Sequence, residues 1–248
     1  MTKLKLLALG ILAATAVSTA QAESQWTVGA GVGVINSPYK QYDRDLYPVP
    51  VVTYEGDNVW FHGLGGGYYL WNDTADKLSI MAYYDPTHFK PGDSDSHALR
   101  QLDKRKGTLM AGLSYMHNTQ YGFLRTALAG DTLDNSNGFI WDLAWLYRYT
   151  NGALTLTPGI GVQYNSENYN DYYYGVSKNE SRRSGLKSYS ADDGWNPYLE
   201  LTASYNFLGD WSVYGTGRYE RLSDEVKDSP MVDKSWAGIF SVGVTYKF

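Results

Sequence analysis

Four histidines are the residues best suited to metal or acid–base chemistry, and their spacing supports neither. His62, His88, His97 and His117 stand outside any HExxH pattern, and the chain has no cysteine. Zinc sites are built from Cys, His and carboxylate ligands at short, fixed spacings. We therefore expect no metal site and no other cofactor.

The polar segment 86–105 is the place where nucleophile, base and acid types stand together. His88 and His97 flank the run Asp93–Ser96, so a Ser/His/Asp set could assemble there. The run also suggests calcium, but it lacks the Gly and the distant Glu of a helix–loop–helix calcium site. A solvated polar loop is the simpler interpretation, and we expect the protein not to be an enzyme.

The beginning of the chain predicts export. Two lysines precede an apolar run of residues 6–17, and a small-x-small motif ends at Ala22, which is the layout of a secretory signal peptide. The run is shorter than the ~20 residues of a membrane-spanning helix, which argues against the alternative of an uncleaved anchor. We predict cleavage before Glu23, with a signal peptide of residues 1–22 and a single mature domain of residues 23–248.

Composition narrows the class of protein. Tyr, Trp and Phe make up 15% of the chain, with 23 tyrosines, although its mean hydropathy is −0.40. Tyr and Trp concentrate where hydrocarbon meets lipid headgroups, in girdles at both rims of membrane barrels. The predicted signal peptide holds two lysines and no acid, so its removal takes the formal charge from −5 to −7. That balance argues against nucleic-acid partners.

Alternation of apolar and polar residues predicts membrane-spanning strands. Phe139, Trp141 and Trp145 share one parity, whereas Asp142 and Arg148 lie on the other. A strand directs alternate side chains to opposite faces, so this segment has an apolar face and an ionic face. Downstream segments carry Thr, Ser, Gly and Asn on the polar parity, which favours a hydrated lumen over the outer face of a soluble sandwich.

The last predicted strand carries a further signal. Its alternate residues are apolar or aromatic, and it closes on Tyr246 and Phe248. This pattern resembles the signal that the outer-membrane barrel-assembly machinery reads. We therefore predict an all-β fold, a transmembrane antiparallel β-barrel in the lipid bilayer of the outer membrane, with periplasmic chaperones and the assembly machinery as partners.

The predicted strand number depends on one glycine-rich run. Eleven segments alternate, but single-chain bacterial barrels close with an even number of strands. Glycines permit a sharp reversal, so splitting segment 58–71 at Gly63–Gly67 gives twelve strands. Ten strands, with part of residues 46–71 packed as a plug or rim, are the alternative. The other predicted strands are residues 25–35, 46–55, 77–85, 106–117, 121–131, 139–149, 153–164, 195–206, 211–222 and 234–248.

The connections between these strands alternate in length. Tight turns such as Asn151-Gly152 and Leu208-Gly209-Asp210 carry hairpin signals. Barrels of this class have short periplasmic turns and long extracellular loops, so we place the long polar segments outside. These segments are residues 36–45, 86–105, 132–138, 165–194 and 223–233.

Parity also predicts which charges line the lumen. Three positive and four negative side chains face inward, whereas a selective pore more often shows a ring of one sign. Mixed signs favour ion pairs that fill a narrow barrel, although twelve strands leave room for a small solute. The seven residues are Arg125, Asp131, Asp142, Arg148, Glu200, Arg218 and Glu220.

Segment 165–194 is the predicted interaction surface. It is rich in Tyr and Arg, which are enriched where proteins bind each other. The alternative is that residues 172–174 extend the neighbouring strands above the membrane. The candidate contact residues are Tyr169, Tyr172, Tyr173, Tyr174, Arg182 and Arg183.

The order and spacing of several strings resemble the MipA/OmpV family of outer-membrane proteins over essentially the whole chain. The strings are Tyr47-Pro48-Val49-Pro50, Tyr54-Glu55-Gly56-Asp57, Gly65-Gly66-Gly67-Tyr68-Tyr69, Thr157-Pro158-Gly159-Ile160-Gly161, Tyr172-Tyr173-Tyr174-Gly175-Val176-Ser177, Ser184-Gly185-Leu186, Asp228-Ser229-Pro230-Met231-Val232 and Tyr246-Lys247-Phe248. The resemblance implies a scaffold that links a membrane-bound lytic transglycosylase to a bifunctional peptidoglycan synthase, and it brings no catalytic motif. Other members are described as adhesins or as porin-like proteins that affect antibiotic entry, so an adhesin and a small channel stay open as alternatives.

Overall fold

The structure, a computed structural model, describes residues 25–42 and 46–248, which form a closed antiparallel barrel. Neighbouring segments of the sheet are hydrogen-bonded, and the last segment pairs with the first. The predicted signal peptide and its cleavage site between Ala22 and Glu23 lie outside the described residues. The segments are β1 (Gln25–Asn36), β2 (Leu46–Glu55), β3 (Val59–His62), β4 (Gly65–Asn72), β5 (Asp76–Asp85), β6 (Thr108–Thr119), β7 (Gly122–Asp131), β8 (Phe139–Leu146), β9 (Tyr149–Asn151), β10 (Leu154–Asn165), β11 (Gly194–Leu208), β12 (Trp211–Arg221) and β13 (Trp236–Lys247).

Segments β8 and β9 are two parts of one strand, so the barrel has twelve strands. Both pair with β10 in the same register. The interruption lies opposite Pro158: the N–H of Tyr147 donates to the Pro158 carbonyl over 3.0 Å, but proline has no N–H to return the bond. The predicted number of twelve is confirmed, and the alternative of ten spanning strands is wrong.

The glycine-rich run reverses the chain as predicted, but the two arms are unequal. β3 has four residues and β4 has eight, and Gly63 between them has a φ of 59°. Because the hairpin is short, it pairs with β2 only from Thr53 to Glu55. Among the described residues, the outer half of β2 therefore has no hydrogen-bonded strand on the side of β3.

Two prolines fit this unpaired edge of β2. The Val52 carbonyl accepts a hydrogen bond from the Gly63 N–H (3.0 Å), which shows that Val52 presents its backbone to the β3 side. Alternate residues of an antiparallel strand present their backbone to the same side, so Pro50 and Pro48 do likewise. Proline lacks an N–H, so these positions leave no donor unpaired where hydrocarbon would make one costly.

The two ends of the barrel differ as the connection lengths predict. Gln25 and Lys247, the first and last residues of the sheet, lie at the same end as every two- or three-residue turn except the Gly63-Leu64 reversal between β3 and β4. Gly152 and Gly209 adopt φ values of 59° and 53° in two of these turns, a conformation that favours glycine. We refer to this end as periplasmic and to the end with the long connections as outer.

Side-chain exposure follows the predicted alternation. Leu199 and Leu201 are exposed on the outside of β11, whereas Tyr198 and Glu200 are buried inside. Aromatic pairs lie near both rims, as expected for the two headgroup regions of a bilayer. The periplasmic pairs are Trp26–Tyr54 and Trp211–Tyr246, and the outer pairs are Tyr164–Trp195 and Tyr219–Trp236.

Short helices form within the outer connections. They are α1 (Glu167–Tyr174), α2 (Lys178–Ser184) and α3 (Asp224–Lys227), with 3-10 turns at Pro91–Asp93 and Leu99–Gln101. A capping box begins α2, in which the Ser177 and Glu180 side chains each accept the other residue's backbone N–H. In the described part of the chain, no helix is long and apolar enough to cross a membrane.

Candidate functional site

The outer connections pack into a cap over the mouth of the barrel. Phe89, Leu99, Tyr173 and Met231, from three different connections, are fully buried against one another in one apolar cluster. The Tyr39 hydroxyl donates to the Tyr173 carbonyl (3.0 Å) and joins a fourth connection to the cluster. The cap therefore has a core of its own, held by contacts between segments far apart in the sequence.

The tyrosines of the predicted interaction loop mostly face this core. Tyr169, Tyr173 and Tyr174 are 4%, 0% and 8% exposed. Tyr172 is half-buried, and its hydroxyl accepts a hydrogen bond from the Lys106 N–H (2.9 Å). Since residues 167–174 form a helix, the alternative that they extend the neighbouring strands is wrong.

Arg182 and Arg183 are the members of that candidate set which reach solvent. Arg183 also contacts Asp103 of a neighbouring connection, with 2.5 Å between nitrogen and oxygen. An interaction surface on segment 165–194 stays a prediction, and it rests on these two arginines rather than on the tyrosines.

A buried ion pair fastens two connections of the cap. Arg105 donates to Glu180 over 2.8 Å, and Glu180 also accepts the backbone N–H groups of Asp103 and Ser177, both over 2.9 Å. Burial alone raises the pKa of Glu180, but these hydrogen bonds and the guanidinium outweigh it and lower that pKa to about 2. The carboxylate therefore stays ionised across the ordinary pH range.

We expect the cap to loosen in acid. The ordinary pKa of a glutamate is 4.5 and the folded value is lower, so the contribution of Glu180 is complete above about pH 4.5 and is lost as pH falls towards 2. Protection factors, which remove the intrinsic pH dependence of amide exchange, should fall over this range for residues 99–105 and 178–184 while the strands stay protected. In Glu180→Gln the protection factors of these residues should be lower at neutral pH and should change less with acid. Equal pH profiles of the protection factors in both proteins would contradict the assignment of Glu180 as the titrating group.

Two residues of the possible Ser/His/Asp set, Ser94 and His88, make structural contacts in the cap, whereas His97 is exposed. Ser94 is buried, its hydroxyl donates to the Lys40 carbonyl (2.9 Å), and the same oxygen accepts the Ser96 N–H (3.2 Å). The Nδ1 atom of His88 lies 2.8 Å from the Pro86 carbonyl oxygen. Across the described residues, no three His, Asp or Glu side chains are grouped to hold a metal ion.

An ion-pair network lies in the lumen against the strands from β7 to β12, as the mixed charges predict. Arg125 contacts Glu200 (3.1 Å) and Asp142 (3.5 Å). Arg218 contacts Asp142 (3.4 Å) and Glu220 (3.3 Å), so Asp142 joins the two arginines. We refer to these five residues as the lumen network.

Two uncharged side chains complete the lumen network. The Tyr198 hydroxyl donates to Asp142 (2.8 Å), and the Arg218 guanidinium lies 3.4 Å from the centre of the Tyr198 ring. Arg218 also donates to the Gln163 amide oxygen (3.0 Å). Alternation along the strands places Tyr198 and Gln163 on the inward face, so the sequence could have predicted both as lumen residues. They were missed because the prediction considered charged residues alone.

The other two predicted lumen charges lie away from the network. Arg148 faces inward below it, with its guanidinium 5.7 Å from the centre of the buried Phe123 ring. Asp131 lies at the outer end of β7, where it accepts the backbone N–H groups of Leu133, Ser136 and Asn137. Asp131 therefore shapes the following connection.

Tyr246 and Phe248 lie at the periplasmic end of the closing strand. The two rings are 4.9 Å apart, Tyr246 also packs on Trp211, and the Phe248 N–H donates to the Trp26 carbonyl (2.9 Å). Their part in barrel assembly stays a prediction. The contacts place both rings in the periplasmic aromatic girdle.

Removing or charging the terminal aromatic ring should impair assembly. We expect Phe248→Asp or deletion of Phe248 to lower the amount of folded, heat-modifiable protein in the outer membrane at least about threefold, because the closing strand loses its anchor at the headgroups. Phe207→Asp, an exposed aromatic of the same rim on β11, is the matched control. Normal levels after deletion of Phe248, or an equal loss in the control, would count against a specific assembly signal.

The periplasmic rim is acidic. Asp57, Asp73 and Asp210 are exposed in three different turns. Glu55 lies just inside the rim and is paired with Lys77 over 2.8 Å. Exposed apolar side chains lie at the same rim, including Tyr121 in a turn and Leu208 at the end of β11. The sequence predicted the turns correctly. It did not show that their acidic residues lie close together, because only the closed barrel brings these turns to one end.

Comparisons with known proteins agree with a location in the outer membrane. The family model described as MltA-interacting protein MipA matches residues 28–248. The MltA-interacting protein of Escherichia coli (strain K12) is 72% identical over 248 residues, all of both chains. The putative outer membrane protein YiaT of the same strain is 40% identical over 91% of this chain and 92% of that chain. Among solved structures, in-vitro folded OmpT of Vibrio cholerae gives a TM-score of 0.39 at 8% identity, over 91% of this chain and 97% of that chain. This chain is a β-barrel of the outer membrane and belongs to the MltA-interacting protein MipA family.

Proposed function

We propose that this barrel is a non-catalytic adaptor that holds a lytic transglycosylase at the outer membrane and links it to a bifunctional peptidoglycan synthase. The observation that carries the proposal is the 72% identity, over the full length of both chains, with a protein named for its interaction with MltA. An adaptor acts by binding, so it needs a persistent surface and no reacting groups. The engagement of Ser94 and Glu180 in structural bonds supports a non-catalytic role.

The proposed contact surface is the periplasmic rim. Both enzymes act on the cell wall beneath the outer membrane, so a partner in that membrane meets them at its periplasmic end. The exposed acids Asp57, Asp73 and Asp210, with Tyr121 and Leu208 at the same rim, offer a negative and partly apolar surface. Complementary charge on the partner would favour encounter and orientation. We therefore propose that the transglycosylase presents a basic patch to this rim.

The two alternative functions have less support. An adhesin was attractive because segment 165–194 is rich in tyrosine, but Tyr169, Tyr173 and Tyr174 are buried in the cap. A channel needs a continuous path, and the cap packs over the outer mouth of the barrel. Neither observation affects the periplasmic rim, where the adaptor contact is proposed.

Charge reversal at the rim tests the proposal. We expect Asp57→Lys/Asp210→Lys to weaken binding of the purified transglycosylase to the detergent-solubilised barrel at least about tenfold, because two attractive charges become repulsive. Biolayer interferometry would measure the dissociation constant. Both positions are exposed in turns, so folding should be unchanged.

Asp233→Lys provides the matched control, because Asp233 is an exposed acid in an outer connection. It should bind the transglycosylase like the unchanged protein. Absence of any binding by the folded barrel would contradict the adaptor proposal. A loss in Asp233→Lys as large as that of the rim variant would contradict the periplasmic placement.

A further inference from the structure

A cavity of about 240 Å³ lies between the lumen network and the cap. Asp142 and Arg218 contribute to its floor, and Tyr39, Tyr169 and Tyr174 contribute to its roof. The volume corresponds to that of roughly eight water molecules in the liquid. The cavity is therefore large enough for a small organic molecule.

Tyrosine is the commonest residue type in the wall of this cavity. Six tyrosines line it, from the barrel wall and from the cap, and they are Tyr39, Tyr42, Tyr47, Tyr83, Tyr169 and Tyr174. Aromatic faces attract ammonium groups, most strongly where water is excluded, and cages of aromatic rings are the usual site for quaternary ammonium ligands. The wall therefore favours an organic cation.

The charges around the cavity also favour a cationic ligand. Asp142 and Glu220 share the guanidinium group of Arg218, which also lines the cavity, whereas no described cation forms an ion pair with Asp85. Asp85 accepts hydrogen bonds only from neutral donors, namely the Tyr169 hydroxyl (2.7 Å) and the backbone and hydroxyl of Thr87. A buried carboxylate in this position is stabilised by a cationic ligand.

Asn36 adds an independent sign of a ligand. Its side chain lines the cavity and is 4% exposed, yet neither its amide nitrogen nor its amide oxygen has a hydrogen-bond partner among the described residues. Buried amide groups are nearly always hydrogen-bonded, so one without a partner calls for an explanation. Its oxygen can accept an N–H or O–H from a bound molecule, and its nitrogen can donate to one.

We propose that this cavity is a binding site for a small organic ammonium cation that also carries a hydrogen-bonding group. The tyrosine rings surround the cationic head, Asp85 neutralises it, and Asn36 binds the polar group. The site lies at the outer side of the lumen network, so its occupancy is separate from capture of a partner at the periplasmic rim. Tyr47 and Asp85 line the cavity from β2 and β5, the strands that flank the short β3–β4 hairpin.

Choline and its uncharged analogue 3,3-dimethyl-1-butanol provide matched probes. Isothermal titration calorimetry of the folded barrel in detergent should show saturable binding of choline, with the neutral alcohol at least about tenfold weaker. The two probes have nearly the same shape, so the difference reports the charge. No saturable binding of choline, or equal binding of both probes, would overturn the proposal.

Two substitutions should change the affinity for choline in opposite directions. Asp85→Asn keeps an acceptor oxygen for Tyr169 and Thr87 but removes the charge, and it should weaken choline binding at least about tenfold. Asn36→Asp adds a carboxylate and should strengthen binding. Asp233→Asn, at an exposed acid outside the cavity, should bind like the unchanged protein.

Unchanged affinity in Asp85→Asn would overturn the proposal. If Asp85→Asn does not migrate as a folded, heat-modifiable barrel, the affinity of Asn36→Asp for choline tests the proposal. Tighter choline binding in that variant supports the site, and equal or weaker binding overturns it.

Discussion

Replacing Arg218 with leucine should lower the free energy of unfolding of the barrel by roughly 3–5 kcal/mol. Arg218 contacts Asp142 and Glu220 and lies over the Tyr198 ring, so its removal leaves two buried carboxylates without their shared cation. Breaking a buried pair by removing one partner costs more than the pair itself contributes, because an uncompensated charge remains. Urea unfolding in lipid vesicles, followed by tryptophan fluorescence, measures the change.

Arg182→Leu is the matched control for Arg218→Leu. Arg182 is exposed in α2, where its loss should change the free energy of unfolding by less than about 0.5 kcal/mol. The double substitution Asp142→Asn/Arg218→Leu should recover part of the loss, since it removes a charge on each side. A loss under about 1 kcal/mol in Arg218→Leu would contradict a network that holds the barrel together.

Arginine at Leu201 should destabilise the barrel by roughly 2–4 kcal/mol, whereas arginine at Thr202 should have a far smaller effect. Leu201 lies on the outside of β11, near the middle of the strand, and faces hydrocarbon. Thr202 points into the lumen, where its hydroxyl pairs with that of Thr216 (3.0 Å). Urea unfolding in vesicles of one lipid composition compares the two variants. Equal losses at the two positions would contradict a lipid-facing outer surface.

Strand positions were readable from the sequence because alternation is local. The predicted segments match β1, β2, β5 to β7 and β10 to β13 to within two residues at each end. The reversal at Gly63 was readable because glycine marks it. The break between β8 and β9 was missed, because it depends on Pro158 in the neighbouring strand rather than on the residues of β8 itself.

The cap was the part that the sequence did not predict. Its helices are short, and their packing depends on contacts between distant segments, such as Tyr39 with Tyr173 and Arg105 with Glu180. Tyrosine enrichment in segment 165–194 was read as a binding surface, but a tyrosine can equally pack its ring inside and donate its hydroxyl to a backbone carbonyl. Composition does not distinguish these two uses.

The lumen network shows what the alternation of inward and outward residues can predict and what it cannot. Parity placed Arg125, Asp142 and Arg218 on the inward face, and all three lie there. Strand register sets Glu200 directly opposite Arg218, yet the Glu200 carboxylate contacts Arg125 from β7, which is not a neighbour of β11 in the sheet. The mixed signs were therefore readable as ion pairs in general, whereas the particular pairs required the closed barrel.

Affinity capture from detergent-solubilised envelopes tests the adaptor function most directly. The tagged protein would be purified with its partners, and mass spectrometry would quantify them against an unrelated barrel of similar abundance. We expect a lytic transglycosylase to be enriched with the unchanged protein and with Asp233→Lys, and to be depleted with Asp57→Lys/Asp210→Lys. Recovery of the folded barrel without a lytic transglycosylase, or equal enrichment with the rim variant, would contradict an adaptor that binds through its periplasmic rim.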